Sequence, residues 1–358
     1  MGSDKRVTLS DVAKLAGVSN STASKVLNGG GRAAPETRQR ILETARRLNF
    51  RPNALARSFA RGLSLTIGVI VHKPDRVFTL PVISGVTTTL GAHDMAALSY
   101  DASGGVTALL EIVDKLRARH ADGVVVIGDG TASAFPSISN QLDCPVVYAF
   151  CQSDVDADVS LLPDGRGAGR TAGEHLIGLG RRRIAHITSG GDAAGISRAA
   201  GLQDALDAAG LQLALGSPLV GDWTQDWGRR AAERLLPRLE EVDAIFCGND
   251  QIAFGAYKTL SRAGARIPDD VALVGYDHLS RLIMGSAPFL TTIDPELADL
   301  GATAAEQLLA MQGADSAPEG GVRYLPGTLV PGYTTLGPLP GFAEADLSGD
   351  AGDFLPVV

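Results

Sequence analysis

Apolar positions recur in two different rhythms along this 358-residue chain. From Thr8 to Leu48 they fall every three or four residues: Leu9, Val12, Ala13 and Ala16, then Ala23, Val26 and Leu27, then Ile41, Leu42, Ala45 and Leu48. Each set lies on one face of a short helix. Thr8 or Ser10 is placed to cap the first helix and Ser19 the second, because their hydroxyls accept from otherwise orphan backbone N–H groups. Gly17 supplies the permissive backbone of a sharp turn, and small residues at Ala13 and Ala23 let the two helices approach closely. The spacing therefore predicts a helix-turn-helix, closed by a third helix from Pro35 to Leu48 with Pro in its first turn. The outward set of the second helix is Asn20, Ser21, Ser24 and Lys25, all able to reach base edges or phosphates. An amphipathic helical hairpin of any function shares this pattern, so further observations are needed to separate the two.

Beyond Leu65 the rhythm changes to short continuous apolar runs alternating with helical stripes. The runs are Ile67–Val71, Ala97–Tyr100, Gly123–Ile127, Val146–Phe150, Ile184–Thr188, Ala244–Cys247, Val271–Tyr276 and Leu290–Ile293. Leu109, Ile112, Val113 and Leu116 form one stripe, and Leu202, Ala205, Leu206 and Ala209 another. Strands interleaved with helices predict parallel α/β architecture, with sheets covered on both faces. Pattern alone leaves open one large doubly wound sheet or two similar lobes with a cleft between them.

Charge separates the two regions. The net charge is −8 over the whole chain, yet residues 1–62 hold twelve Lys and Arg against four Asp and Glu. A head of +8 on an acidic body is the electrostatic footprint of a phosphate-binding module joined to something that stays off nucleic acid. No apolar run approaches the roughly 18 residues that a membrane span needs, and no signal-peptide core is seen, so a cytoplasmic protein is expected. Three widely spaced cysteines, Cys144, Cys151 and Cys247, fit neither a disulfide framework nor a zinc site and are expected as buried thiols.

In parallel α/β sheets, ligands sit beyond the carboxyl ends of the strands. Asp277 follows one such end and offers a carboxylate to two hydroxyls. Asn249 follows another and offers both donor and acceptor, although it could simply cap the next helix. Arg198, after the fifth strand, can clamp a hydroxyl or ring oxygen. The only two tryptophans, Trp223 and Trp227, stand four residues apart. An indole face stacks on the C–H side of a sugar ring, whereas Trp227 is expected in the core. Phe78 and Phe150 extend an aromatic wall if they are not core.

Enzyme motifs are missing. The Gly165-Arg-Gly-Ala-Gly169 cluster is GxGxG, not GxGxxG, and is expected not to follow a strand directly, so it lacks the geometry of a dinucleotide cradle. There is no Walker lysine motif, no GxSxG and no HExxH, and the six histidines are scattered. No catalytic residue, metal or cofactor is expected. A periplasmic sugar receptor would share the body but has no use for a basic helix-turn-helix.

The segments Thr8-Leu-Ser-Asp-Val-Ala-Lys-Leu-Ala-Gly-Val-Ser19, Thr22-Ala-Ser-Lys-Val-Leu-Asn28 and Leu48-Asn-Phe-Arg-Pro-Asn-Ala54 resemble the LacI/GalR family of bacterial transcription regulators, over roughly residues 7–337. The resemblance implies a small all-α helix-turn-helix head and hinge helix joined to a two-lobed, periplasmic-binding-protein-like α/β core. It implies that Asn20, Ser21 and Lys25 read bases, and that Thr22, Ser24 and Asn28 lie near phosphates. Thr8, Ser19, Asn53 and Arg57 complete the expected DNA set, with Ala56 and Phe59 entering the minor groove. Arg198, Trp223, Asn249 and Asp277 match effector positions. The implied division is residues 1–52 for the head, 53–62 for the hinge, 63–340 for effector binding and dimerisation, and 341–358 for an acidic, disordered tail.

Function follows as expectation: a homodimer on a palindromic double-stranded operator, released by a sugar, with a purine-type corepressor as the alternative. Three residues depart from the family pattern. Phe59 stands where Leu is usual as the apolar wedge, and Lys25 replaces a frequent Arg that forks onto guanine. Ala34 replaces the usual Ser cap before Pro35, which should cost the head about 1 kcal/mol.

Overall fold

The computed structural model describes residues 7–27, 30, 33–50, 63–74, 76–130, 134–279, 289–312 and 319–338. The chain divides into two compact units, Met1–Leu65 and Thr66–Val358.

The first unit holds helices α1 (Leu9–Leu15), α2 (Asn20–Leu27) and α3 (Pro35–Arg47). Thr8 takes the first cap in a reciprocal box: its Oγ1 accepts from Asp11 N at 3.3 Å while its own N–H donates to Asp11 Oδ2 at 2.9 Å. Gly17 turns the chain at φ +67°, and Ser19 Oγ accepts from Thr22 N at 3.1 Å to start α2. Ala13, Ala16, Ala23, Val26 and Ile41 form the buried centre, and Val12 is buried as well. Arg40 of α3 donates from Nε to the carbonyl of Ala16 at 2.9 Å, tying the third helix to the turn. As expected, α3 has no side-chain cap at Ala34. Thr8→Ala should cost α1 about 1 kcal/mol. Hydrogen exchange of the α1 amides should then run about fivefold faster, and unchanged exchange would refute the role of the box.

The second unit contains two six-stranded sheets. One is ordered β13-β7-β5-β3-β1-β2, all parallel, from β1 (Thr66–Val71), β2 (Ala96–Asp101), β3 (Gly123–Ile127), β5 (Val146–Ala149), β7 (Val159–Pro163) and β13 (Gly321–Leu325). The other is ordered β14-β12-β11-β10-β8-β9, from β8 (Ile184–Ser189), β9 (Leu219–Gly221), β10 (Ala244–Cys247), β11 (Ala272–Tyr276), β12 (Thr291–Asp294) and β14 (Thr328–Val330). Only β14 runs antiparallel among its pairings. A two-strand ladder, β4 (Ala134–Phe135) with β6 (Gln152–Ser153), lies beside the first sheet.

Helices α4 (Thr79–Ala92), α5 (Gly105–Ala118) and α10 (Leu297–Met311) cover the first sheet. Helices α6 (Gly165–Gly178), α7 (Ala193–Ala208), α8 (Gln225–Leu235) and α9 (Asp250–Arg262) cover the second. The chain passes between the lobes after Pro163, after Asp294 and after Leu325.

All eight expected strands are present within a residue or so of their expected ends. Six more among the described residues, β4, β6, β7, β9, β13 and β14, are not expected, and the eight expected strands fall four to each sheet. The expectation of coverage on both faces fails at β2, which alternates between exposed and half-buried residues because it is the outer edge. The glycine cluster also needs correction: Gly165–Gly169 does follow a strand, β7, through Asp164. It is still no phosphate cradle. Asp164 Oδ1 already accepts from Gly167 N at 2.7 Å, and a Cβ on Gly169 would sit 2.0 Å from the Arg198 carbonyl oxygen. The glycines there let α6 and α7 cross closely, which fixes the helix that carries Arg198. Of the cysteines, Cys151 and Cys247 are buried thiols, while Cys144 is only half-buried.

Candidate functional site

A cleft of about 380 Å³ opens at the carboxyl ends of both sheets. Phe78, Phe150, Arg198, Trp223, Asn249 and Asp277 all line it, so residues scattered over two hundred positions meet in one place. Its volume is that of a small-molecule site.

The second lobe supplies most of the polar groups. Arg198 projects from α7 with Cζ 3.5 Å from the ring centroid of Tyr276 and 5.1 Å from that of Trp223, and its Nη1 donates to the carbonyl of Gly248 at 2.7 Å. Two aromatic faces and a backbone carbonyl therefore hold the guanidinium in one orientation. Its Nε is buried with no hydrogen-bond partner among the described residues. Burial pushes the Asp277 carboxyl well above the usual carboxylate range, and the charge of Arg198 opposes that shift. Asp277 itself adopts φ +111°, and its N–H donates to the carbonyl of Ile293 at 2.9 Å on the neighbouring strand.

Trp223 is held from two sides. Its Nε1 donates to Asp192 Oδ2 at 2.8 Å, and its carbonyl accepts from Asn249 Nδ2 at 3.1 Å. Asn249 also caps α9, its Oδ1 accepting from Ile252 N at 2.8 Å, so the capping alternative raised by the sequence coexists with a place in the cleft wall. A Cβ on Gly248 would come within 2.9 Å of the Trp223 ring, so glycine there makes room for the indole. Trp227 is core, 2% exposed, with Nε1 donating to the carbonyl of Thr188 at 3.1 Å.

Asp192 was not singled out by sequence, and its carboxylate is the joint of this wall. Oδ1 caps α7 at Gly195 N (2.7 Å), while Oδ2 takes both Trp223 Nε1 and the Ser189 hydroxyl at 2.5 Å. Asp192→Ser keeps a capping oxygen but is too short to reach the indole. It should shift tryptophan emission and weaken binding of the cleft's ligand about tenfold, with little change in thermal midpoint. Unaltered emission would contradict the joint.

The first lobe contributes the aromatic side and one ion pair. Phe78 and Phe150 line the cleft and also pack on the core of their lobe. A Cβ on Gly130 would lie 2.3 Å from the Phe150 ring. Lys73 Nζ meets Asp129 Oδ2 at 2.6 Å in the same wall, again unmarked in the sequence.

In the head, Asn20, Ser21 and Lys25 are exposed on α2, and Thr22 and Ser24 are half-buried beside them. Thr8 and Ser19 are exposed but occupied as caps. Asn28, Asn53, Ala56, Arg57 and Phe59 lie outside the described residues, as does the 341–358 tail. No helix among the described residues is long and apolar enough to cross a membrane.

A helix-turn-helix unit with a polar recognition face, joined to a two-lobed body with a ligand cleft, defines a ligand-responsive DNA-binding regulator. Residues 8–53 match the family described as bacterial regulatory proteins of the lacI family, and residues 64–318 match the periplasmic binding proteins and sugar binding domain of that family. The chain belongs to the LacI family of bacterial transcription regulators. It is 31% identical over 306 residues to the HTH-type transcriptional regulator CelR of Thermobifida fusca, covering 81% of this chain and 87% of that protein. Among solved structures it is similar to the lac repressor dimer bound to operator and the anti-inducer ONPF, with a TM-score of 0.70 and 26% identity over 93% of this chain and all of that one. It is likewise similar to the CelR–cellobiose complex, at TM-score 0.61 and 28% identity, covering 92% of this chain and 100% of that one.

Proposed function

We propose that the protein is a homodimeric repressor of carbohydrate-utilisation genes, released from a palindromic operator in the cytoplasm by a neutral sugar of disaccharide size. The observation that carries the sugar is the cleft wall: an indole fixed through Asp192, an Arg fixed on Tyr276 and Gly248, and the Asp277 carboxyl beside them. A stacking face flanked by immobilised donors and acceptors suits a ring with equatorial hydroxyls. The relative solved with cellobiose supports that class, and the lac repressor dimer on its operator supports a two-headed protein on two half-sites. One short recognition helix contacts too few bases for useful specificity, which favours the dimer.

In this reading residues 1–52 form the DNA head, 53–62 the hinge, 63–340 the effector and dimer unit, and 341–358 a tail. Asn20, Ser21 and Lys25 read bases. Thr8, Ser19, Thr22, Ser24, Asn28, Asn53, Ala56, Arg57 and Phe59 complete the DNA contacts. Phe78, Phe150, Arg198, Trp223, Asn249 and Asp277 hold the sugar. Effector bound to both lobes biases the angle between them across the three chain crossings, and so the competence of the dimer for DNA.

The test is operator selection followed by anisotropy titration with cellobiose, other di- and monosaccharides, and purine bases. A sugar should weaken operator binding at least tenfold and stabilise the free protein by about 2.7 kcal/mol at 100-fold over its Kd. Tightening by a purine base instead would replace induction by corepression.

A further inference from the structure

A second cavity, of about 240 Å³, lies in the first lobe and meets the effector cleft at one wall only. The shared wall is the Lys73–Asp129 ion pair, whose two residues line both spaces. The remainder is apolar, formed mainly by Val106 and Leu109 of α5, Phe135 and Pro136, with His72 at the carboxyl end of β1. Phe135 stands edge-on to the His72 ring with centroids 6.0 Å apart. His72 carries a buried Nδ1 with no hydrogen-bond partner among the described residues.

We propose that this cavity is a second small-molecule site, built for a neutral, single-ring aromatic compound bearing a hydroxyl. Three observations select that chemistry. An apolar protein cavity of about 150 Å³ admits benzene, so this space admits such a ring with one or two substituents. Lys73 and Asp129 neutralise each other at 2.6 Å, and a charged ligand would have to break the pair, which selects a neutral one. A sugar would leave several hydroxyls unpaired against Val106, Leu109 and Phe135, whereas a phenol carries one polar group, which the Lys73–Asp129 pair in the wall can meet. Because the ion pair faces both spaces, an occupant here also touches a wall of the effector cleft, and any coupling between the two ligands is reciprocal.

Phenol itself is the probe, titrated calorimetrically and by ligand-observed NMR into the full-length protein. Two variants close the cavity from its solvent side, Val106→Trp and Ala134→Trp. Val106 is 59% exposed and Ala134 is also exposed, so neither change disturbs packing. Phe78→Ala changes a residue that lines the effector cleft and not this cavity. The expected result is saturable binding in the wild type, at least tenfold weaker in both tryptophan variants and unchanged in Phe78→Ala. Toluene, which lacks the hydroxyl, should bind at least threefold more weakly than phenol. Absence of saturable binding overturns the proposal. So does binding that ignores both tryptophan variants, or that is lost in Phe78→Ala, since either would place phenol elsewhere.

Discussion

Replacing Arg198 by methionine should raise the effector concentration needed for operator release at least about 100-fold, while operator affinity without effector stays within about threefold. Methionine keeps an apolar stem between Tyr276 and Trp223 but deletes every donor. Two hydrogen bonds from a charged donor to a ligand are together worth about 3 kcal/mol, which sets the magnitude. Loss of the positive charge also removes the influence that holds the Asp277 carboxyl down, so that group moves further toward its neutral form. Arg198→Lys is the informative companion. A lysine retains charge but cannot lie flat on Tyr276 while reaching the Gly248 carbonyl, so it should recover only part of the response. Anisotropy titrations of labelled operator against effector measure all three proteins. A wild-type response in Arg198→Met would remove Arg198 from the site.

The sequence carried the pieces of this cleft that are fixed by chain direction. Residues just beyond strand ends must face the carboxyl edge of a parallel sheet, which is why Asn249 and Asp277 were recognisable, and Arg198 stands in the first turns of the helix that follows such an end. Lys73, Asp129 and Asp192 were not, because their importance lies in partners distant along the chain. Asp192 and Trp223 are joined only by tertiary packing, as are Lys73 and Asp129. The missed strands fail for related reasons. β9 is three residues long, β7 ends in Pro163, and β13 is an edge strand whose Arg323 and Tyr324 face solvent. Their pairing is decided by neighbours rather than by their own pattern. β7 and β13 each lead into a crossing between lobes, so what local pattern could not show was the division into two sheets.

The pH dependence of folding should reveal two buried groups that oppose each other beneath the cleft. His186, stacked on Phe246 with Nδ1 bonded to the Phe246 carbonyl at 2.8 Å, has its pKa lowered by burial to about 4. Between that value and its unfolded pKa of about 6.5, only the unfolded chain carries the proton, so this residue makes stability rise with pH. Its full contribution is of order 3 kcal/mol, reached above about pH 6.5. Asp250 acts in reverse. Burial raises its pKa to about 7, even though its carboxylate accepts from Leu279 N at 2.7 Å and the Thr292 hydroxyl at 2.6 Å. From about pH 4 to 7 the folded form holds a proton that the unfolded chain has released, so stability falls by of order 4 kcal/mol across that window. Asp277, also raised, adds to the fall. In the wild type the His186 slope offsets part of this fall below about pH 6.5. His186→Phe keeps the stack on Phe246 and removes only the rising slope. Its thermal midpoint should therefore drop by roughly 8 °C or more between pH 4.5 and 7, a larger drop than in the wild type. Adding Asp250→Asn should shrink that drop and leave the share carried by Asp277. A His186→Phe profile parallel to the wild type would show that the imidazole is not held neutral in the folded lobe.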